Sequence, residues 1–488
     1  MDLDVSGSGQ KTMTSVISSA ITGSKWTSVS QVILLATALL QTTILARLLS
    51  PADFGIVAIA GVFIGILTIY SELGLSAAII QKSETSNDIL SSLYLLNLGA
   101  ALLCSLITLA AAPLLTQWYG QIELQNVLAS LAPAFVLAAI GSQFRALNQK
   151  HLRFSLMAKI EVAGAVVSML IAVIFALNGY GIYSLVFATL TNISLTSLLN
   201  FYTGLRYHRP GFIFVPGKIG EYLRFGTFQM GESTLNYLNS QIDLLLIGKF
   251  TGSHALGLYS TSKSLTMRPA SLINPIFNRV AFPVMSHSQN DQDGLRSMYL
   301  SGMRMLCFIN FPIYALLFVA ADPIVRILLG EAWLEAIPIL RVLSIYFLIR
   351  STGNPVGSLL MASGRYRRSF YWNLILFGFI PAAIWAGSYF GVLGIAWTMV
   401  LLQVSLVIPN WYFLVKPCCK AGFIEYFSVQ APSLFAATLA ALIAWPFANL
   451  FAFPWMNLLA ITFIGASAYI LLSMLIHAKA MNTAKALL

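Results

Sequence analysis

The chain has 488 residues, of which 58% are hydrophobic and 9% charged, and its formal net charge at pH 7 is +11. A typical soluble domain is about 25% charged, so this composition excludes a soluble globular enzyme and indicates a membrane protein. Crossing a hydrocarbon core of about 30 Å takes roughly 20 apolar residues in a helix.

The apolar runs predict an all-α polytopic membrane protein of about fourteen spanning helices joined by short polar segments. The first apolar run is longer than a signal-peptide core and follows 24 polar, serine-rich residues, so we expect span 1 to be retained. In chain order the predicted spans are 26–49, 52–71, 88–115, 124–147, 155–177, 181–205, 222–250, 254–284, 297–320, 331–361, 368–389, 391–414, 429–450 and 454–477.

A short polar hinge separates the first two spans in the stretch LARLLSPADFGIVAIA, residues 45–60. Ser50 can cap a new helix, Pro51 suits its first turn, and Asp53 stands where a carboxylate favours free N–H groups. The pattern predicts that one helix ends near Leu49 and that the next begins at once.

The distribution of Lys and Arg predicts the orientation of the chain. With both termini in the cytoplasm, the tails and even-numbered loops hold 20 of the 28 basic residues and the outer loops hold three, because short cytoplasmic loops are rich in Lys and Arg. Topology therefore explains most of the net charge, and no nucleic-acid partner is expected. The spans and the basic residues together predict a multi-pass membrane protein with both termini in the cytoplasm.

The hinge sequence is repeated, in diverged form, later in the chain. A shift of 202 residues aligns residues 45–57 with IGKFTGSHALGLY, residues 247–259, so that Gly55 meets Gly257. Further matches at offsets of 216 and 213 keep the same order. Six spans thus repeat as six more in the same orientation, a design in which transporters bind substrate between the halves.

The predicted organisation is a cytoplasmic tail (1–25), an N-terminal six-helix bundle (26–205), a cytoplasmic linker (206–221), a C-terminal six-helix bundle (222–414), and two extra helices with a tail (415–488).

The segments ARLLSPADFG and SELGLSAAIIQ (residues 71–81) resemble the amino-terminal signature of the polysaccharide flippases, within the multidrug/oligosaccharidyl-lipid/polysaccharide exporter superfamily. The likeness is to the branch that exports colanic and teichuronic acids. It implies a carrier that moves an undecaprenyl-diphosphate-linked oligosaccharide to the outer leaflet of the bacterial plasma (inner) membrane by alternating access. The implied partners are this substrate, membrane lipids and polysaccharide polymerase or export proteins.

Span 7 carries a polar stripe in which Glu232, Asn236, Asn239 and Asp243 recur at helical spacing on one face. Charges inside a membrane usually face a cavity or a partner. The stripe is therefore either a cavity surface that responds to protons or sodium, or a buried network with the cations of span 8. Glu161 in span 5 is a further candidate carboxylate.

Five basic residues inside predicted spans are candidates for holding a diphosphate. Lys263, Arg268 and Arg279 lie in span 8, and the two arginines share nearly one face. Arginine binds phosphate oxygens through paired donors. Arg341 and Arg350 in span 10 are on opposite faces, so we expect at most one of them to serve.

Two alternatives remain open from the sequence. A multidrug or cation antiporter of the same superfamily would share the architecture, and a membrane polysaccharide polymerase or glycosyltransferase would need catalytic groups in sizeable outer loops. The sequence offers no nucleophile with a base and no metal-ligand spacing. We therefore expect no catalysis, no metal and no cofactor, with proton or sodium coupling left open. We expect the four cysteines to be free thiols.

Overall fold

The computed structural model describes residues 26, 29–81, 86–215, 219–287 and 291–485, and within these ranges the chain is helical without strands. Fourteen long helices follow one another in the described residues. The first seven are α1 (Val29–Leu48), α2 (Pro51–Ser71), α3 (Asn87–Tyr119), α4 (Ile122–Lys150), α5 (Phe154–Leu177), α6 (Tyr183–Gly204) and α7 (220–251). The others are α8 (253–287), α9 (Gln292–Val319), α10 (Ala336–Ala362), α11 (Tyr366–Ser388), α12 (Gly391–Cys419), α13 (Phe423–Asn449) and α14 (Pro454–Lys485).

Twelve of these helices are long and apolar enough to cross a membrane, counted over the described residues. The other two, α7 and α8, hold eight charged residues between them and are separated only by a kink at Gly252, whose φ is 83°. The predicted all-α polytopic fold class is confirmed. Short helices at Leu75–Gln81 and Ala321–Leu328 connect longer ones.

The predicted start of α2 is confirmed in its hydrogen bonds. The Ser50 N–H and Oγ donate to Asp53 Oδ2 at 2.9 and 2.7 Å, and the Asp53 N–H donates to Ser50 Oγ at 3.3 Å. This reciprocal capping satisfies free donors at the first turn of the new helix, which begins at Pro51. Sequence alone therefore places this boundary between two membrane helices.

The helices form two compact units, and each is described by itself. The first holds the described residues up to Leu49 and from Ile56 to Leu238, and the second holds Ser50–Gly55 and Asn239–Leu488. The sequence places a linker at 206–221, whereas the compact units divide within α7, after Leu238.

Aromatic and small residues pack the first unit. Phe144 of α4 is fully buried, with its ring 5.7 Å from that of Tyr94 and 5.0 Å from that of Phe201. Gly141 lies against the Ser197 backbone, where an added Cβ would overlap main-chain atoms. Close helix approach of this kind depends on small residues.

In the second unit, the last helix packs on a helix that contains a proline. Pro312 inside α9 has no N–H, so the carbonyl of Phe308 one turn earlier loses its helical donor. The Tyr469 hydroxyl of α14 donates to that carbonyl at 2.8 Å. The contact joins α14 to α9, although α14 lies outside the sequence repeat.

The four cysteines are free and buried, as expected. The predicted spans 391–414 and 429–450 leave Cys418 and Cys419 between two helices, and that boundary is wrong. Helix α12 continues through a π-helical stretch at Trp411–Val415 and ends at Cys419. The added turns bury both thiols.

Candidate functional site

A buried ion pair joins α7 to α8 in the second unit. Lys263 Nζ donates to both carboxylate oxygens of Asp243 at 2.8 Å and to the Ser240 carbonyl at 2.7 Å. The Tyr259 hydroxyl donates to Asp243 Oδ2 at 3.1 Å, and the Leu244 N–H donates to Oδ1 at 2.9 Å. The side chains of Lys263 and Asp243 are only 11% and 7% exposed. Every contact of the carboxylate is a donor, which is the complement of an ionised Asp.

A second cation stands beside this pair. Arg350 of α10 donates to the Tyr346 hydroxyl at 2.7 Å and interacts electrostatically with Asp243 and Tyr259. Two cations and one carboxylate therefore share the neighbourhood, with a net positive charge. An anion entering this region would find a guanidinium whose only hydrogen bond within the described residues is to a neutral hydroxyl.

The structure describes the contacts of only part of the remaining polar stripe of α7. Asn239 Nδ2 donates to the Asn373 carbonyl at 2.8 Å, and its Oδ1 is buried without a partner among the described residues. Asn236 is exposed, and the side chain of Glu232 lies outside the described residues. The structure thus gathers Asn239 and Asp243 within the second unit and leaves Glu232 untested.

The remaining candidate cations have different surroundings. Arg268 is half-buried, and its Nε lacks a partner among the described residues. The side chain of Arg279 lies outside the described residues. The guanidinium of Arg341 stands 5.4 Å from the ring centroid of Trp445, and its Nε also lacks a partner among the described residues. Of the two span 10 arginines, Arg350 is the one for which the structure gives an electrostatic interaction with Asp243.

The first unit contains a polar cavity of about 530 Å³ that sequence reasoning missed. Arg145 and Glu161 form an ion pair across it, with Nη2 and Oε1 2.7 Å apart. Glu72 lines the same cavity, where loss of surrounding water raises the pKa of its carboxyl and the positive charge of Arg145 partly lowers it. Its other polar lining comes mainly from amide and hydroxyl side chains, including Asn97, Ser142, Gln149, Asn192, Thr196, Ser197 and Asn200.

One sequence signal could have found this cavity. Asn192, Thr196 and Asn200 recur every four residues along α6, which is the periodicity that marked the stripe of α7. Of the charged members, Glu161 was already a candidate carboxylate, whereas Arg145 and Glu72 gave no such signal because each lies near a helix end. Within the described ranges no group of three or more His, Cys, Asp or Glu residues could hold a metal ion.

Within the described residues, fourteen long helices, twelve of them apolar enough to cross a membrane, define a multi-pass membrane protein. The solved lipid II flippase MurJ, in an inward closed conformation, matches 94% of this chain and 100% of its own at a TM-score of 0.73 and 15% identity. An inward-facing multidrug resistance transporter of the MATE family and MOP superfamily matches 92% and 98% at a TM-score of 0.56 and 13% identity. At these identities the likeness shows the fold.

The chain belongs to the polysaccharide biosynthesis protein family, whose model matches residues 44–338. It is 31% identical to the lipopolysaccharide biosynthesis protein WzxC of Escherichia coli K12 over 83% of each chain. It is 30% identical to the teichuronic acid biosynthesis protein TuaB of Bacillus subtilis 168, over 88% of this chain and 89% of that one. The resemblance read from residues 46–81 is confirmed, and with it the class of polysaccharide exporter.

Proposed function

We propose that the protein carries a polyprenyl-diphosphate-linked oligosaccharide across the bacterial plasma membrane by alternating access, as one step of surface polysaccharide synthesis. The observation that carries the proposal is membership of the polysaccharide biosynthesis family over most of the chain, together with a transporter fold. The named activity of the MurJ neighbour, flipping of lipid II, belongs to the same chemical class of cargo.

The cations of the second unit suit the diphosphate group of that substrate. A diphosphate leaving water needs positive charge and hydrogen-bond donors, since an unpaired charge in an apolar medium is costly. Arg350 and the half-buried Arg268 offer guanidinium donors that no carboxylate in the described residues occupies. We assign these two arginines, with Arg279, to the diphosphate.

The pair of Asp243 and Lys263 supplies the coupling in this proposal. Protonation of Asp243, or replacement of its lysine by a sodium ion, would release a buried ammonium beside Arg350. Such a change alters the charge next to the substrate cations and so biases one conformation over another. In this way an ion gradient can drive transport in one direction.

The orientation of the protein in the membrane is inferred from the sequence. The excess of basic residues in the tails and even-numbered loops supports cytoplasmic termini. The protein acts without catalysis, and a polysaccharide polymerase or export complex would receive the lipid-linked glycan on the outer side.

Two results decide this proposal. Deletion in the native host should leave lipid-linked repeat units facing the cytoplasm and abolish surface polysaccharide, and the plasmid-borne gene should restore both. Surface polysaccharide retained in a deletion strain without a redundant carrier contradicts the proposal. Joining or cleavage of sugars by the purified protein contradicts it as well.

Drug efflux is the second candidate, supported by the fold of the multidrug transporters. The 30% identical relatives are named for polysaccharide synthesis, which favours the glycan cargo. Drug resistance measured in the same deletion strain separates the two, because a glycan carrier leaves resistance unchanged.

A further inference from the structure

An open pocket of about 730 Å³ lies in the first unit beside the turn from α4 to α5 and the end of α6. Three arginines line it, namely Arg153, Arg206 and Arg209, and its described lining contains no carboxylate. No ion pair within the described residues involves any of the three. The pocket therefore concentrates positive charge that the protein itself does not neutralise.

A strained turn brings Arg153 to this pocket. Leu152 has a φ of 56°, in the left-handed region that non-glycine residues seldom adopt. The Leu152 N–H donates to the Gln149 carbonyl and the Arg153 N–H to the Asn148 carbonyl, both at 2.9 Å, which fixes the turn. Strain of this kind persists where the surrounding structure maintains it, often at ligand sites.

The ring of Tyr207 organises the basic groups without consuming their hydrogen-bond donors. The guanidinium of Arg206 lies 4.7 Å from the ring centroid and that of Arg153 lies 5.9 Å from it. Cation–π contact positions a guanidinium while leaving its N–H groups free to bind an anion. His151 stacks on the same ring at 4.0 Å.

His151 reports the electrostatic character of this region. Partial burial lowers the pKa of its imidazole, and the charges of Lys150 and Arg206 lower it further. The imidazole is therefore neutral near pH 7, because the surroundings already disfavour another positive charge.

The pocket also has an apolar side. Leu156 and Leu205 are half-buried in its lining, and the side chain of Tyr202 is 78% exposed. Arginines beside apolar surface suit a ligand with a charged head and a hydrocarbon tail. Basic loops in general orient a membrane protein without any pocket, so the concave, acid-free lining is what points to a ligand.

We propose that this arginine pocket binds the phosphate headgroup of a membrane lipid, with the three guanidinium groups on the phosphate and the apolar side against the start of the tail. Two sources share this chemistry, an anionic phospholipid and a polyprenyl diphosphate. The site is distinct from the Asp243 region and does not depend on transport.

Binding to purified protein in detergent tests the proposal. The probes are short-chain phosphatidylglycerol, undecaprenyl diphosphate and, as a zwitterionic reference, short-chain phosphatidylcholine, each titrated by native mass spectrometry. The triple variant Arg153→Gln/Arg206→Gln/Arg209→Gln should weaken binding of at least one anionic lipid by about tenfold, which corresponds to the loss of one charged hydrogen-bonding contact. The lipid that binds more tightly to the wild type identifies the source.

A charge-matched variant, Arg224→Gln/Arg304→Gln/Arg367→Gln, removes three exposed arginines elsewhere and should change the dissociation constant less than twofold. Equal losses in the two triple variants overturn the proposal, as does phosphatidylcholine binding as tight as that of the anionic lipids. Competition by inorganic pyrophosphate at the same affinity as the lipids also overturns it, because the tail would then contribute nothing. Should the triple variant unfold, the exposed Arg209→Gln alone should weaken binding about threefold. The assay involves no transport, so its failure and a failed export assay are separate results.

Discussion

Gly55 and Gly257 pack against each other through their backbones, and they occupy equivalent positions in the two copies of the repeated sequence. A Cβ added to Gly55 would overlap the carbonyl oxygen of Ser253, and one added to Gly257 would overlap that of Pro51. Pro51 and Ser253 are themselves separated by the same 202 residues. Reciprocal contacts of this kind are what a local two-fold axis produces. Within the second unit, the first turn of α2 and residues 253–257 of α8 therefore contact each other through positions that the sequence repeat pairs.

This contact predicts intolerance to the smallest side chain. Gly55→Ala or Gly257→Ala should destabilise the protein by about 2 kcal/mol or more, since the new methyl group meets main-chain atoms that cannot rotate away. The melting temperature in detergent measures the loss. Gly61→Ala is the control in the same helix, because its Cβ would meet nothing within 4 Å. A Gly55→Ala protein as stable as Gly61→Ala would contradict the close packing.

The Asp243 pair predicts strong coupling between two substitutions. Asp243→Asn leaves a buried ammonium without its carboxylate, and Lys263→Gln leaves the carboxylate without its ammonium, so each should cost about 3–5 kcal/mol. The double variant Asp243→Asn/Lys263→Gln should recover most of that loss, because a neutral amide pair carries no unpaired charge. Thermal unfolding of the four proteins measures the interaction energy.

The half-buried pair of Asp322 and Arg326 provides the reference for that cycle. Asp322→Asn should cost less than about 1 kcal/mol, because Arg326 keeps a second carboxylate partner in Glu331. The double variant also separates coupling from folding. Stable protein with weakened transport and a flattened dependence on pH or sodium supports coupling through the pair. Wild-type profiles in the double variant would restrict the pair to a structural role.

The unoccupied donors of Arg268 predict a loss of transport without a loss of folding. Arg268→Gln should lower the transport rate at limiting substrate by about tenfold or more, as expected for a lost hydrogen bond to a charged group. Arg341→Gln is the matched control, because its Nε also lacks a partner among the described residues, whereas its guanidinium lies over the ring of Trp445. Equal transport by the two variants, at equal expression, would remove Arg268 from the substrate contacts.

The raised pKa of Glu72 predicts a pH-dependent effect of its removal. The folded protein holds this proton to higher pH than the unfolded chain, where the carboxyl titrates near 4.5. The resulting contribution to stability is complete below the unfolded pKa and is lost as pH rises through the folded pKa. Glu72→Gln should therefore raise the melting temperature relative to the wild type more at pH 8 than at pH 4.5. Glu123→Gln, which removes an exposed carboxylate in the first turn of α4, controls for the change in net charge; a pH trend equal to that of Glu72→Gln would refute the assignment.

Sequence reasoning succeeded where one segment carries the whole signal. Apolar runs define the helices because each must satisfy its own backbone in lipid, and Ser50 with Asp53 marks a boundary because capping is local. It also brought Asp243 and Lys263 into consideration together, since α7 and α8 are consecutive. It singled out Glu161 but missed the ion pair with Arg145, because Arg145 looks like an ordinary charge near a helix end until α4 and α5 pack. Tertiary packing alone turns such residues into a cavity.

The predicted orientation rests on the unequal distribution of basic residues, and two exposed positions test it. His254 at the start of α8 should face outside and Arg367 at the start of α11 should face the cytoplasm. The four native cysteines are buried and should react slowly, so His254→Cys and Arg367→Cys can each be read against the native background. Gly252 itself is unsuitable, because its φ of 83° would strain any other residue.

A membrane-impermeant maleimide added to intact cells should label His254→Cys at once and Arg367→Cys only after permeabilisation. The reverse pattern would invert the topology, and with it the side from which the protein takes up its substrate.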